Sequence, residues 1–236
     1  MSRNYNDIDP LEYDRMYATV PREIYMKKHW GDLIENAIGR YCKDKYVLDL
    51  GCGYGNYTKI ISKYTDNIIG LDISQRWVDC ARKQCPHTKF LLADAHNIPL
   101  ENDTFDVIVS IGLFEYVQRS IAIKEIYRVL KNDGISIISV PNKYSISRAP
   151  YKLFHKILRE KYPPNEPSKK EMLGLLQHNN FGVIEYKIND GLIYLPNFLD
   201  KIIGRITYSF VEKLFSLFGE NPFSNVMLFV SKKIGK

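Results

Sequence analysis

Cysteine is scarce in this sequence and nothing pairs it. The four residues Cys42, Cys52, Cys80 and Cys85 form no C-x-x-C pair. That usage excludes a disulfide framework and points to a reducing compartment. Cys80 and Cys85 lack His or Cys partners at ligand spacing, so no metal site is expected. Long hydrophobic runs are absent as well, and no stretch nears the roughly 20 apolar residues that cross a bilayer. The opening Met1-Ser2-Arg3-Asn4-Tyr5-Asn6 lacks the apolar core of a secretory leader. There is no internal repeat and no low-complexity tract, and the five histidines are scattered. The expectation is a cytoplasmic globular protein.

The 236 residues are 45% apolar and 25% charged, enough to bury one proper core. The formal net charge is +6, and its placement says more than its sum. Six basic residues (Lys143, Arg148, Lys152, Lys156, Arg159 and Lys161) face a single acid, Glu160, between positions 143 and 161.

From residue 45 onward short apolar runs alternate with helical patterns, the signature of a parallel sheet built from βαβ units. The predicted strands are Tyr46–Leu50, Ile68–Asp72, Lys89–Ala93, Phe105–Ile111, Ile135–Val140, Phe181–Tyr186 and Val226–Ser231. Their β-branched and aromatic content suits strands covered on both faces. Helices are expected over 21–41, from Asn56 to Lys63, and from a Ser74 cap to Gln84. Another ends at Asp133-Gly134, with glycine as the left-handed stop. Ser168 and Glu171 predict a capping box for a helix running to His178.

Four segments carry the chemistry. In Val47-Leu48-Asp49-Leu50-Gly51-Cys52-Gly53-Tyr54-Gly55-Asn56-Tyr57-Thr58 a strand runs straight into a helix through glycines, which let backbone approach a ligand without Cβ interference. Dinucleotide enzymes use such a turn for pyrophosphate, as G-x-G-x-x-G. Here the third glycine falls one residue early and Asp49 precedes the first by two, so a cationic ligand is favoured over pyrophosphate. Asp72 ends the second strand 21 residues after Gly51, the spacing of a carboxylate that accepts ribose hydroxyls. Asp94 follows the third strand, placed to accept from an adenine amino group, with Ala95 and Ile98 as apolar neighbours. Ser110, Ile111 and Glu115 follow the fourth. All converge on the carboxyl edge, where open α/β sheets bind ligands.

These residues resemble the class I S-adenosylmethionine-dependent methyltransferase superfamily, especially its small-molecule branch with the ubiquinone and menaquinone biosynthesis enzymes. The resemblance spans roughly residues 45–141. It implies a Rossmann-like, seven-stranded, mostly parallel α/β sheet with helices on both faces, its last strand antiparallel. It implies S-adenosyl-L-methionine as cofactor, held by Asp49, Gly51, Cys52, Gly53, Gly55, Asp72, Ile73, Asp94, Ala95 and Ile111. Many relatives carry a histidine just after the fourth strand where this chain has Glu115, so the resemblance assigns no catalytic base.

The pattern lacks Asn-Pro-Pro-Tyr after the fourth strand and a cysteine in that region, which sets it apart from amino-group and carbon-5 cytosine methyltransferases acting on nucleic acid. Two further stretches are amphipathic. Residues 144–161 mix the basic cluster with Tyr144, Tyr151, Phe154, Ile157 and Leu158. In 198–218, Leu199, Ile203, Ile206, Phe210, Leu214 and Leu217 form one stripe at helical period. The expected organisation is an N-terminal helical lid (1–44), in which Tyr13, Tyr17 and Trp30 are candidate cleft-covering aromatics, then a methyltransferase domain (45–236). Cap insertions are expected at about 144–167 and 190–222. The expected activity is methyl transfer to a small or lipid-linked acceptor, at oxygen, with peripheral contact at the inner face of the membrane and no nucleic-acid partner. The alternatives are an RNA methyltransferase and a non-catalytic cofactor-binding partner subunit.

Overall fold

A computed structural model of the chain describes residues 21–145, 166–188 and 226–235, with side chains from Trp30 onward. Helix α1 (Pro21–Tyr41) leads into alternating elements: β1 (Val47–Leu50), α2 (Asn56–Ile61), β2 (Ile68–Asp72), α3 (Gln75–Gln84), β3 (Lys89–Leu92), β4 (Phe105–Ile111), α4 (Arg119–Val129) and β5 (Leu130–Pro141). After these come α5 (Lys169–His178), β6 (Phe181–Ile188) and β7 (Val226–Lys233). The strands form one seven-stranded sheet in the order β3-β2-β1-β4-β5-β7-β6. Strands β1 to β5 run parallel, and β7 is antiparallel to both β5 and β6. This is the Rossmann-like α/β arrangement expected.

Strand alternation divides the core between two faces. One face carries Leu48, Leu50, Ile108 and Ile138, packed with Ile123 and Ile126 of α4 and Met172 and Leu176 of α5. The other carries Val47, Val107, Val109 and Ile137, packed with Trp30, Ile34 and Ile38 of α1 and Ile61 of α2. Ile34 and Ile38 lie one helical turn apart and are wholly buried, so the end of α1 is a layer of the core. Truncating either to alanine should cost about 2–5 kcal/mol. A smaller cluster of Cys52, Val78, Ala81, Cys85 and Phe90 sits under the glycine turn.

Long-range polar ties close the far strands onto the rest. Arg40 and Tyr41 at the end of α1 both donate to Glu185 Oε1 of β6. The Lys233 ammonium, nearly buried, donates to Asp103 Oδ1 at 2.7 Å and to Leu130 O at 2.6 Å. It also lies 4.5 Å from the centre of the Tyr127 ring, a cation–π contact.

Three local expectations need correcting. Helix α4 ends at Val129, with Leu130 already extended at φ −80 and ψ 134, and β5 begins there rather than at Ile135. The left-handed residue is Asp133 (φ 63), not Gly134. Gly134 is required for space, since a Cβ there would come within 2.7 Å of Leu130 Cγ and 2.8 Å of Lys131 O. Ser74 occupies the N-cap of α3, but its side chain makes no cap bond. Its backbone N–H instead donates to Asp72 Oδ1 at 2.9 Å. The Ser168–Glu171 capping box is present as expected, with both reciprocal bonds made.

Residues 1–20, including Tyr13 and Tyr17, and most of both cap insertions lie outside the described residues. Trp30 packs in the core beneath the sheet. Among the described residues no helix is long and apolar enough to cross a membrane.

Candidate functional site

Parallel pairing sets the carboxyl ends of the strands side by side, with Leu50 beside Leu71, Asp72 beside Leu92, and Asp49 beside Val109. The four motif segments therefore share one edge. At its centre Gly51, Gly53 and Gly55 take φ of 76, 53 and 88, a region that L side chains rarely adopt. The N–H groups of Gly51 and Cys52 both donate to Leu71 O, at 2.7 and 3.0 Å, which folds the turn across the end of β2. A Cβ on Gly51 would come within 3.0 Å of Leu113, so the loop after β4 lies directly against the turn.

The two acids at the turn differ. Asp72 is buried and serves backbone on both sides, accepting from Gly53 N at 2.9 Å and Ser74 N at 2.9 Å. Asp49, on the α2 face of β1, is also buried and accepts from Thr58 Oγ1 at 2.5 Å. No cation pairs with Asp49 among the described residues. Burial pushes its carboxyl up to about 7, Thr58 opposes the rise, and the charge of Asp72 adds to it. Burial likewise lifts the Cys52 thiol well above its ordinary range, with Asp49 and Asp72 reinforcing. Cys52 Sγ points at Gly53 O, 3.8 Å away, as a packed thiol.

Further along the edge, Ile73 is more than half exposed directly after Asp72, and Leu92 is half exposed beside it. Asp94 follows in an open position, its Oδ1 accepting from His96 N at 2.9 Å. Ala95 and Ile98, expected as apolar neighbours of a ring, are buried in the core. The open apolar shelf is thus Ile73 and Leu92. Ile111 is half-buried against the α1 face. Gly112 (φ 69) donates to Ser139 O and Ser139 Oγ, and Glu115 Oε1 lies 3.7 Å from where a Gly112 Cβ would project. Ser110 is buried, and its hydroxyl has no partner among the described residues.

Sequence reasoning missed Thr58, His96 and Leu113. Thr58 was visible as the hydroxyl closing the glycine segment, one turn into the following helix. His96 and Leu113 fall within the third and fourth segments but carry no signal of their role, because their contacts depend on how loops pack.

Residues 48–138 match the family model described as a methyltransferase domain. Through that region the chain is similar to the class I S-adenosylmethionine-dependent methyltransferases. An uncharacterized protein of Methanocaldococcus jannaschii is 34% identical over 146 residues, 61% of this chain and 53% of that protein. The ubiquinone/menaquinone biosynthesis C-methyltransferase of Campylobacter jejuni is 34% identical over 104 residues, 41% of this chain and 44% of that one. The chain spans about half the length of the curated relatives it matches. A solved S-adenosylmethionine-dependent methyltransferase from Mesorhizobium loti shares the fold, at a TM-score of 0.63 and 17% identity over 85% of this chain and 96% of that one.

The residues present fit the family's cofactor. A buried carboxylate that lacks a cationic partner among the described residues, Asp49, lies beneath a turn stripped of side chains, and an exposed isoleucine follows the second acid. An ammonium would offset the desolvation cost at Asp49, and a purine would cover Ile73.

Proposed function

We propose that the chain transfers a methyl group from S-adenosyl-L-methionine to a small or lipid-linked acceptor at an oxygen atom, working at the inner face of the membrane. The observation that carries the methyl-transfer reading is the glycine turn held between two buried carboxylates, Asp49 and Asp72. In this reading Gly51, Cys52, Gly53 and Gly55 give backbone access to the methionyl end, and Asp49 faces its ammonium. Asp72 accepts the ribose hydroxyls, Ile73 covers the adenine, and Asp94 accepts from its amino group. Leu92 extends the shelf beside Ile73, Ile111 closes the other end, and Ala95 supports the Asp94 turn from the core.

The bound sulfonium supplies an electrophilic methyl group that needs no further activation. What remains for the protein is to position the acceptor and take its proton. Glu115 is the one carboxylate in the loop 112–118, it is half-buried, and the loop is pressed against the glycine turn through Leu113. We assign it the proton of the acceptor hydroxyl.

The test uses the cofactor with a tritiated methyl group, incubated with the full chain and fractionated cell extract. Label in an organic phase, as an ether or ester, supports a lipid-linked oxygen acceptor. Label in RNA, or in a carbon position, overturns that part of the reading. With the acceptor in hand, Glu115→Gln should leave S-adenosylhomocysteine affinity unchanged and slow turnover by roughly 10²–10⁴-fold, the range for general base catalysis.

A further inference from the structure

His96 sits within the third segment without an assigned role, yet both of its ring nitrogens are engaged. Nε2 is 2.8 Å from the backbone nitrogen of Gln118, which can only donate. Nε2 is therefore the acceptor, and the ring proton resides on Nδ1. Nδ1 in turn donates to Asp94 Oδ1 at 2.7 Å. Asp94 Oδ1 thus receives two bonds from the same residue, from the backbone and from the ring of His96, which fixes the carboxylate's rotation. Its other oxygen, Oδ2, has no partner among the described residues. Gln118 is the N-cap residue of α4 and the last residue of the loop 112–118 that follows β4.

We infer that His96 is a positioning residue that presets Asp94 for the cofactor's adenine amino group and couples that contact to the loop 112–118 on the acceptor side. This rests on the proposed cofactor role of Asp94. A carboxylate held by one oxygen presents the other in a fixed direction, so the amino group meets an acceptor already oriented. The same imidazole holds the Gln118 N–H, so disturbance on either side is felt on the other. Neutral imidazole is the only side chain of this shape that donates at one end and accepts at the other. An amide in His96→Gln keeps one donor and one acceptor on a different frame.

The experiment is calorimetric titration of the full chain with S-adenosylhomocysteine and with its inosine analogue, in which a carbonyl replaces the amino group. Wild type, His96→Ala, His96→Gln and Asp94→Asn are compared. His96→Ala should weaken S-adenosylhomocysteine about tenfold, the scale of one charge-assisted hydrogen bond. It should change affinity for the inosine analogue less than about twofold, and His96→Gln should recover part of the loss. The His96→Ala and Asp94→Asn effects should be strongly non-additive in the double variant. Hydrogen exchange supplies a second readout: S-adenosylhomocysteine should slow exchange across residues 112–118 in wild type but not in His96→Ala. Equal loss for both nucleosides, or additive variants, would make His96 a purely structural residue and overturn the inference. Failure of the wild type to bind S-adenosylhomocysteine at all would remove the cofactor reading and this inference with it.

Discussion

Gly53 donates its backbone N–H to Asp72 Oδ2 across a sequence gap of 19 residues, so the glycine turn and the end of β2 act as one unit. The same carboxylate receives Ser74 N at the start of α3. Asp72 therefore holds three segments in register before any ligand arrives. Asp72→Ala should strand two backbone donors and cost about 1–3 kcal/mol of stability for each left buried, to be read from denaturant midpoints. It should also weaken S-adenosylhomocysteine binding by roughly 1.5–3 kcal/mol. Asp72→Asn, which keeps one acceptor oxygen, should fall between. An unchanged dissociation constant in both variants would remove Asp72 from the cofactor site.

Gly53 itself adopts φ 53 and lies in the turn where backbone must approach the ligand. Gly53→Val forces a β-branched residue into the left-handed region and fills the approach. The expected result is a folded protein, by circular dichroism, that no longer binds S-adenosylhomocysteine. Normal binding would reduce the turn to a structural feature.

Asp49 makes both stability and binding depend on pH. Its folded value of about 7 lies above the ordinary 3.8, so the folded state binds more protons than the unfolded state between those limits. Stability of the free protein should therefore fall as pH rises from about 4 to about 7, by at most about 4 kcal/mol for this group. Asp49→Asn should remove that loss, raising the midpoint of thermal unfolding at pH 8 more than at pH 4. Binding runs the other way, because a cationic ligand favours the ionised carboxylate. Titrations near pH 7 in buffers of different ionisation enthalpy should show release of about half a proton in wild type and none in Asp49→Asn.

Much of this edge was legible because its signals are local. A glycine spacing, an acid at a strand end and a run of β-branched residues each fit within a dozen residues. The seven-stranded, mostly parallel sheet with its last strand antiparallel followed from those strands plus the resemblance, whereas the strand order came from the structure. What escaped was set by distant partners. Nothing near Ser74 tells that Asp72 takes its backbone N–H and leaves its hydroxyl without a capping bond. Lys233 reads as a surface lysine until β7 carries it beneath Tyr127 and Leu130. Arg128 resembles a helix-end cation, yet it reaches Ile98 O at 2.7 Å and Leu100 O at 2.8 Å and pins the loop ahead of β4. At Gly134 the residue type was informative but its reason was not, since steric space rather than a positive φ selects glycine.

The lipid-linked acceptor reading makes a prediction about the segment between Lys143 and Pro167, of which residues 146–165 lie outside the described residues. Lys143 N donates to Pro167 O at 3.2 Å, and the Lys143 ammonium contacts Glu171 Oε1 at 3.2 Å. The two ends of the segment are thereby joined at the carboxyl end of β5, on the edge that holds the site. Tyr144, at its start, is 70% exposed with the Lys143 ammonium 5.8 Å from its ring centre. An exposed aromatic beside a cation suits the boundary between lipid headgroups and acyl chains. Five further basic residues follow, Arg148, Lys152, Lys156, Arg159 and Lys161, and each would contribute about 1 kcal/mol near an anionic surface. Salt should screen that attraction, because the Debye length falls from about 10 Å at 0.1 M to about 3 Å at 1 M. Co-sedimentation with anionic vesicles should therefore be strong at low salt, weak at high salt, and absent with neutral vesicles. The Lys152→Glu, Lys156→Glu double variant should bind anionic vesicles less while taking up S-adenosylhomocysteine normally. Equal failure of the wild type with both vesicle types would leave a soluble acceptor as the better account of the same site.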